Sequence, residues 1–133
     1  MNIIKFRYWN GVTNVMVNDP EMPYKEGWTI EQLFSERGWI WMQYTGLKDV
    51  NGKEIYEGDV CEEISVSGRR SHKSAIEFFD GSYHLCHDHF DLRGNTTGRY
   101  EQVLGFLEQP AVEIIGNIYE NPELLTPPSE PVA

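Results

Sequence analysis

At 133 residues the chain has the length of one domain, and its 4 Trp, 7 Tyr and 6 Phe are enough to build a core without disulfide or metal. Its 21 acidic against 11 basic residues leave a net charge of −10, which excludes a nucleic-acid binder of the ordinary kind, because phosphate recognition needs a basic patch. With two cysteines, no apolar signal region at the N-terminus and no run of ~20 apolar residues, the expectation is a cytoplasmic protein with reduced thiols and no membrane span.

In chain order, Ile4, Phe6 and Tyr8 alternate with Lys5, Arg7 and Trp9, and Asn10-Gly11 follows. This predicts a hairpin of residues 3–9 and 12–17, with Asn-Gly supplying the two positive-φ positions of a type I′ turn. Asp19-Pro20 and Met22-Pro23 end the second strand. Thr29-Ile30-Glu31-Gln32 has the form of a capping box and Gly38 stands at a helix C-cap, so residues 30–37 are predicted helical. Ile30, Leu33 and Phe34 would form one apolar stripe able to lie on a sheet.

Residues 39–44 read as a strand, with Trp39, Trp41 and Gln43 opposite Ile40, Met42 and Tyr44. From Thr45 the texture changes to turns and short strands: turns at 48–53 and 57–59, a strand at 60–66 and a loop at 68–74. A hairpin of 75–79 and 82–87 follows, around Asp80-Gly81. Residues 92–97 read as loop. Residues 112–119 form a last strand interrupted by a bulge or kink at Gly116-Asn117, and Asn121-Pro122-Glu123-Leu124 can start one helical turn. The expected fold is mainly β (α+β): an SH3-like barrel in the central and C-terminal part, preceded by an N-terminal β-hairpin and short helix. One compact domain is expected over 1–121, with 1–44 as a cap and 45–121 as the barrel-like part, followed by a Pro-rich flexible tail at 122–133.

Among chemistry-bearing residues, His84-Leu85-Cys86-His87-Asp88-His89 is the richest stretch. Strand alternation puts His84, Cys86 and Asp88 on one face and His87 and His89 on the other, so the metal candidates His84, Cys86, Asp88 and His89 do not converge on their own. They match no paired-ligand spacing, and the expectation is no resident metal and no cofactor. A nucleophilic Cys61 or Cys86 would need an electropositive setting that this acidic chain does not supply. Arg69, Arg70 and Lys73 around His72 read as a solvated loop, Glu62-Glu63 and Asp88 with Asp91 as solvated carboxylates, and Gly94-Asn95-Thr96-Thr97-Gly98 lacks the Lys of a phosphate loop. No catalytic residues emerge. Of the aromatics near the start, Trp9, Trp28, Trp39 and Trp41 with Tyr44, most are expected to be core, and those in excess of what one core can hide make the four Trp candidate anchors for a protein partner.

Three stretches carry a family resemblance: Ile4-Lys5-Phe6-Arg7-Tyr8-Trp9, the long block from Met42 through Tyr44-Thr45-Gly46-Leu47-Lys48-Asp49 to Tyr56-Glu57-Gly58-Asp59-Val60, and Glu113-Ile114-Ile115-Gly116-Asn117-Ile118-Tyr119 onward to Leu124. Together they resemble the YopX family of phage and prophage proteins over nearly the whole chain. The resemblance implies a self-associating phage accessory protein and brings no catalytic residues with it. In physical terms the central block is turn chemistry, with Gly46, Gly52 and Gly58 at positive φ and Asp49 and Asp59 bonding nearby backbone. The functional expectation is a non-enzymatic protein that binds itself or a host or phage protein, without direct nucleic-acid or membrane binding. Two other classes stand beside it: an acidic nucleic-acid mimic or nucleic-acid-associated small barrel, and a metal-dependent enzyme.

Overall fold

The computed structural model describes residues 5–18, 39–104 and 111–126, and the regular structure there is β apart from one 3-10 turn. The strands are β1 (Phe6–Asn10), β2 (Val15–Val17), β3 (Trp39–Lys48), β4 (Glu54–Tyr56), β5 (Asp59–Ile64), β6 (Arg70–Phe79), β7 (Ser82–Phe90), β8 (Thr96–Val103) and β9 (Ala111–Asn117), with the 3-10 turn at Pro122–Leu125. They form two antiparallel sheets, ordered β2-β1-β3-β4 and β8-β7-β6-β5-β9, that curl into a half-barrel. The mainly β expectation holds. The helix expected at 30–37 and Trp28 lie outside the described residues.

The N-terminal hairpin forms, but with a longer turn than Asn10-Gly11 alone. Asn10 pairs with Val15, so four residues make the connection, and the positive φ of 56° falls on Asn14. The cause is the Asn10 side chain, whose Oδ1 accepts the N–H groups of Val12 and Thr13 and so folds the chain onward before it turns back. The second hairpin keeps its two-residue turn, with Asp80 at φ 49° and Gly81 at 79°, the conformation a type I′ turn requires.

β3 crosses residue 44, pairing with β1 through Trp39 to Gln43 and with β4 through Tyr44 and Lys48. The block after it behaves as its residue types dictate. Asp49 is buried; its Oδ1 accepts the N–H groups of Asn51 and Lys53 at 2.9 Å, and its Oδ2 accepts that of Ile114 at 3.0 Å. Asp59 Oδ2 accepts the Tyr56 N–H at 2.8 Å.

Gly58 is the corner at which the chain passes between sheets. Its N–H donates to the Ile76 carbonyl and its own carbonyl accepts the Ile118 N–H, each at 2.9 Å. Its φ is +84° and a Cβ there would lie 2.9 Å from Met42 Sδ, so only glycine fits without strain.

Two expected loops are strands. Residues 70–74 belong to β6, whose pairing with β5 reaches Ile64↔Arg70, and the loop shrinks to a turn at 65–69. Arg70 is drawn into the sheet by ion pairs to Glu62 at 3.1 Å and Glu113 at 2.6 Å on neighbouring strands. Thr96 and Thr97 begin β8, a polar strand without apolar alternation. The turn before it is closed by Asp91, whose Oδ1 accepts the N–H groups of Arg93 and Asn95. The irregularity expected near Gly116 is a register shift in the β5–β9 pairing, where Val60 faces Gly116 and Cys61 faces Ile114.

The core joins the sheets: Ile55 of β4 packs with Cys61, Ile76, Leu85, Leu104 and Val112. An ion pair of Arg7 Nη2 with Asp59 Oδ1 at 2.7 Å also spans them, and Trp9 stacks on Tyr119 with centroids 5.6 Å apart.

Candidate interaction groove and a histidine row

Where the two sheets meet beside Gly58, a groove of about 250 Å³ opens between β3 and β6. Ile40, Trp41 and Met42 form one wall and Ile76, Glu77 and Phe78 the other, with Glu57, Ile118 and Tyr119 between them. Ile40, near the start of β3, and Phe78, near the end of β6, are 44% and 53% exposed, two large apolar side chains on opposite walls of one opening. Phe78 is held edge-on against Tyr83 at 4.9 Å. Glu57 accepts the Gln43 N–H through Oε1, and Glu77 pairs with Arg99 at 2.7 Å. The arrangement offers apolar contact with carboxylates at hand.

The four Trp candidates separate. Trp9 is buried and structural, and Trp28 lies outside the described residues. Trp39 and Trp41 are half-buried around Tyr8, whose ring lies 4.5 Å from Trp39 and 5.0 Å from Trp41. Of the named anchors among the described residues, Trp41 alone lines the groove. Ile40, Phe78, Glu57 and Glu77 were not singled out by sequence, since nothing local distinguishes an apolar side chain at a sheet junction from one in a core.

The metal candidates also separate. Cys86 faces Ala75 and Glu101, and His84 faces Glu77 and Val103, both on one face of the five-stranded sheet. His89 lies on the other face, beside His87. His84 stacks on Phe79 at 3.9 Å with Nδ1 near the Ser82 carbonyl, a packing role. Among the described residues no three His, Cys, Asp or Glu side chains are placed to hold a metal ion. Both cysteines are buried, and burial pushes both thiols above their ordinary range, with Asp59 and Asp49 adding to the effect at Cys61.

The face that carries Leu85 into the core continues into a polar row. His87 on β7 stacks on Tyr100 of β8 at 4.6 Å and on His72 of β6 at 4.8 Å, with His89 edge-on at 5.1 Å. Buried Ser74 meets His87 Nδ1 at 2.8 Å, and the Tyr100 hydroxyl bonds Glu63 and Gln102. Burial holds His87 below the usual imidazole pKa, with His72 and His89 pushing the same way against Asp88.

Protonation is thus disfavoured in the folded protein relative to the unfolded chain. Stability from this site is complete above the ordinary value of 6.5 and is lost as pH falls through the depressed folded value. Thermal melts from about pH 8 to about pH 5 are expected to show a fall in Tm beginning near 6.5 that His87→Gln flattens. An unchanged slope in that variant would assign the acid sensitivity elsewhere.

No helix among the described residues is long and apolar enough to cross a membrane. The family model described as YopX protein matches residues 5–126. A curated relative, the SPbeta prophage-derived uncharacterized protein YopX of Bacillus subtilis (strain 168), is 29% identical over 76 residues, which make up 57% of this chain and 53% of that protein. The chain thus spans about half the length of the curated relative it matches. Two crystal structures share the fold. Protein EF1440 from Enterococcus faecalis aligns with a TM-score of 0.57 at 24% identity, and protein yopX from Bacillus subtilis with 0.52 at 20%, each covering 94% of this chain and 99% of the other.

Proposed function

The chain belongs to the YopX protein family, and from that premise we propose that it is a non-enzymatic prophage accessory protein that works by binding another protein in the groove between its sheets. The observation that carries this reading is the pair of exposed apolar side chains, Ile40 and Phe78, facing one opening that Glu57 and Glu77 border. Apolar anchors flanked by charge are how protein contacts gain both affinity and orientation. The chemistry suits a partner segment with an apolar side chain next to a basic one. The prophage relative supports a phage origin and a bacterial cytoplasm as the place of action. The curl of the strands supports reading the central and C-terminal part as an SH3-like barrel.

The test is a nuclease-treated pull-down from host lysate at low and high salt, with wild type, the Ile40→Ser/Phe78→Ser variant and a Leu92→Ser control as baits. A stoichiometric protein retained by wild type and control but reduced about tenfold or more with the groove variant is expected. Capture that is indifferent to the groove variant would overturn the assignment. Capture that collapses with salt and is competed by duplex DNA would replace it with nucleic-acid mimicry.

A further inference from the structure

Asparagine followed by glycine is a dipeptide at which a chain can react with itself, because glycine has no side chain to keep its backbone nitrogen from the asparagine side-chain carbonyl. Two such pairs occur here, Asn10-Gly11 and Asn51-Gly52, and the fold treats them in opposite ways.

At Asn51-Gly52 each reacting group is tied down. The Gly52 N–H donates to the Asp49 carbonyl at 3.0 Å, which engages the nitrogen that would attack. The Asn51 amide, which would leave, donates through Nδ2 to Glu113 Oε2 at 2.8 Å, and the Asn51 N–H donates to Asp49 Oδ1 at 2.9 Å. Reaction there must first break the turn.

At Asn10-Gly11 only the electrophile is held. Asn10 Oδ1 accepts the N–H groups of Val12 at 3.0 Å and Thr13 at 3.2 Å. These donors draw electron density from Cγ and stand ready for the negative charge that the oxygen gains on attack, as the donors of an oxyanion hole do. Among the described residues, neither Asn10 Nδ2 nor the Gly11 N–H has a hydrogen-bond partner. Residues 11–14 are exposed, Val12 by 76%, so water reaches the turn.

We propose that Asn10 is a site of spontaneous deamidation through a cyclic imide, with water as the co-reactant. The Gly11 nitrogen gives its proton to solvent and bonds to Asn10 Cγ. The Cγ–Nδ2 bond breaks, and the amide takes a proton from solvent and leaves as ammonia. Water then opens the imide at either carbonyl. Opening at Cγ leaves an aspartate; opening at the main-chain carbonyl leaves an isoaspartate, whose backbone runs on through Cγ and is longer by a methylene. Both products carry a new negative charge, and the isoaspartate also displaces the strand. Asn10 pairs with Val15 on one side and Trp39 on the other, so the displacement falls on the start of β3, beside Ile40. The reaction itself does not depend on whether the groove binds a partner.

The experiment ages the full chain in warm, mildly alkaline buffer and follows both sites by peptide mapping with mass spectrometry, with released ammonia measured in parallel. Conversion at Asn10 is expected to run about tenfold or more ahead of conversion at Asn51 in the folded protein. In guanidinium chloride the two rates are expected to converge, because the bonds that hold Asn51 and Gly52 are gone. Gly11→Ala, at a glycine that does not take a positive φ, is expected to slow Asn10 about tenfold or more with an unchanged circular dichroism spectrum. The wild-type comparison carries the test alone if that variant does not fold. Equal or faster conversion at Asn51 in the folded chain, a ratio that denaturant leaves unchanged, or a folded Gly11→Ala protein that converts at the wild-type rate would each overturn the assignment.

Discussion

Arg7→Leu is expected to lower the unfolding free energy by about 3 to 5 kcal/mol at neutral pH, because it leaves the Asp59 carboxylate buried without its partner. Arg7 and Asp59 side chains are 8% and 3% exposed, and the guanidinium also donates to the Glu57 carbonyl at 3.1 Å and lies over the Tyr56 ring. The pair joins β1 of one sheet to β5 of the other at the corner that Gly58 turns. Burial already holds the Asp59 carboxyl above its ordinary 3.8, with Arg7 pulling it back. Removing Arg7 raises it further.

A carboxyl whose folded pKa is raised favours folding most below its unfolded value and loses that contribution as pH rises through the folded value. The deficit of Arg7→Leu relative to wild type should therefore shrink as pH falls toward 3.8. Chemical denaturation at several pH values measures this, and a deficit independent of pH would mean that lost packing, not the stranded carboxylate, is the cause. Arg7→Leu/Asp59→Asn should recover most of the loss, since Asn retains an acceptor for the Tyr56 N–H without a charge.

Leu85→Ala should cost about 2 to 5 kcal/mol, the range for truncating a fully enclosed aliphatic side chain that leaves a cavity. Leu85 is fully buried among Ile55, Cys61, Ile76, Leu104 and Val112, drawn from four strands of both sheets and the residue after β8. Leu92→Ala, in the exposed turn before β8, should stay within about 0.5 kcal/mol of wild type. Urea titration distinguishes them through the midpoint at unchanged slope. A small effect at Leu85 would mean that the two sheets are not held by this core.

Turn chemistry was the most legible part of the fold, since a positive φ or a carboxylate near backbone N–H groups is a local requirement. Gly46, Gly52 and Gly58 take φ of +87°, +82° and +84°, and Asp49 and Asp59 bond backbone as their positions in the block suggested. Asp80-Gly81 fixed its hairpin by the same means. At Asn10-Gly11 the dipeptide marked the hairpin but not the turn length, because the Asn10 side chain engages backbone on the far side of Gly11. β8 was illegible, since a strand whose side chains are mostly exposed needs no apolar alternation and its order comes from pairing with β7. The start of β6 was misread for a related reason: Arg70 and Lys73 look like loop residues until Glu62 and Glu113 stand on adjacent strands.

The site divides along the same line. Composition alone disfavoured a phosphate binder, and strand alternation alone separated His84, Cys86 and Asp88 from His89. That Trp9 is a core residue, that Ile40 and Phe78 share a groove, and that His72, His87 and Tyr100 stack in a row depend on residues far apart in the chain coming into register. The sequence by itself determined the β character, the turns and the family, because each is carried by residues near one another in the chain. The order of the strands, the burial of Arg7 against Asp59 and the covering of the β9 edge by the loop after β3 were decided only by tertiary structure, because pairing partners and burial belong to no single segment.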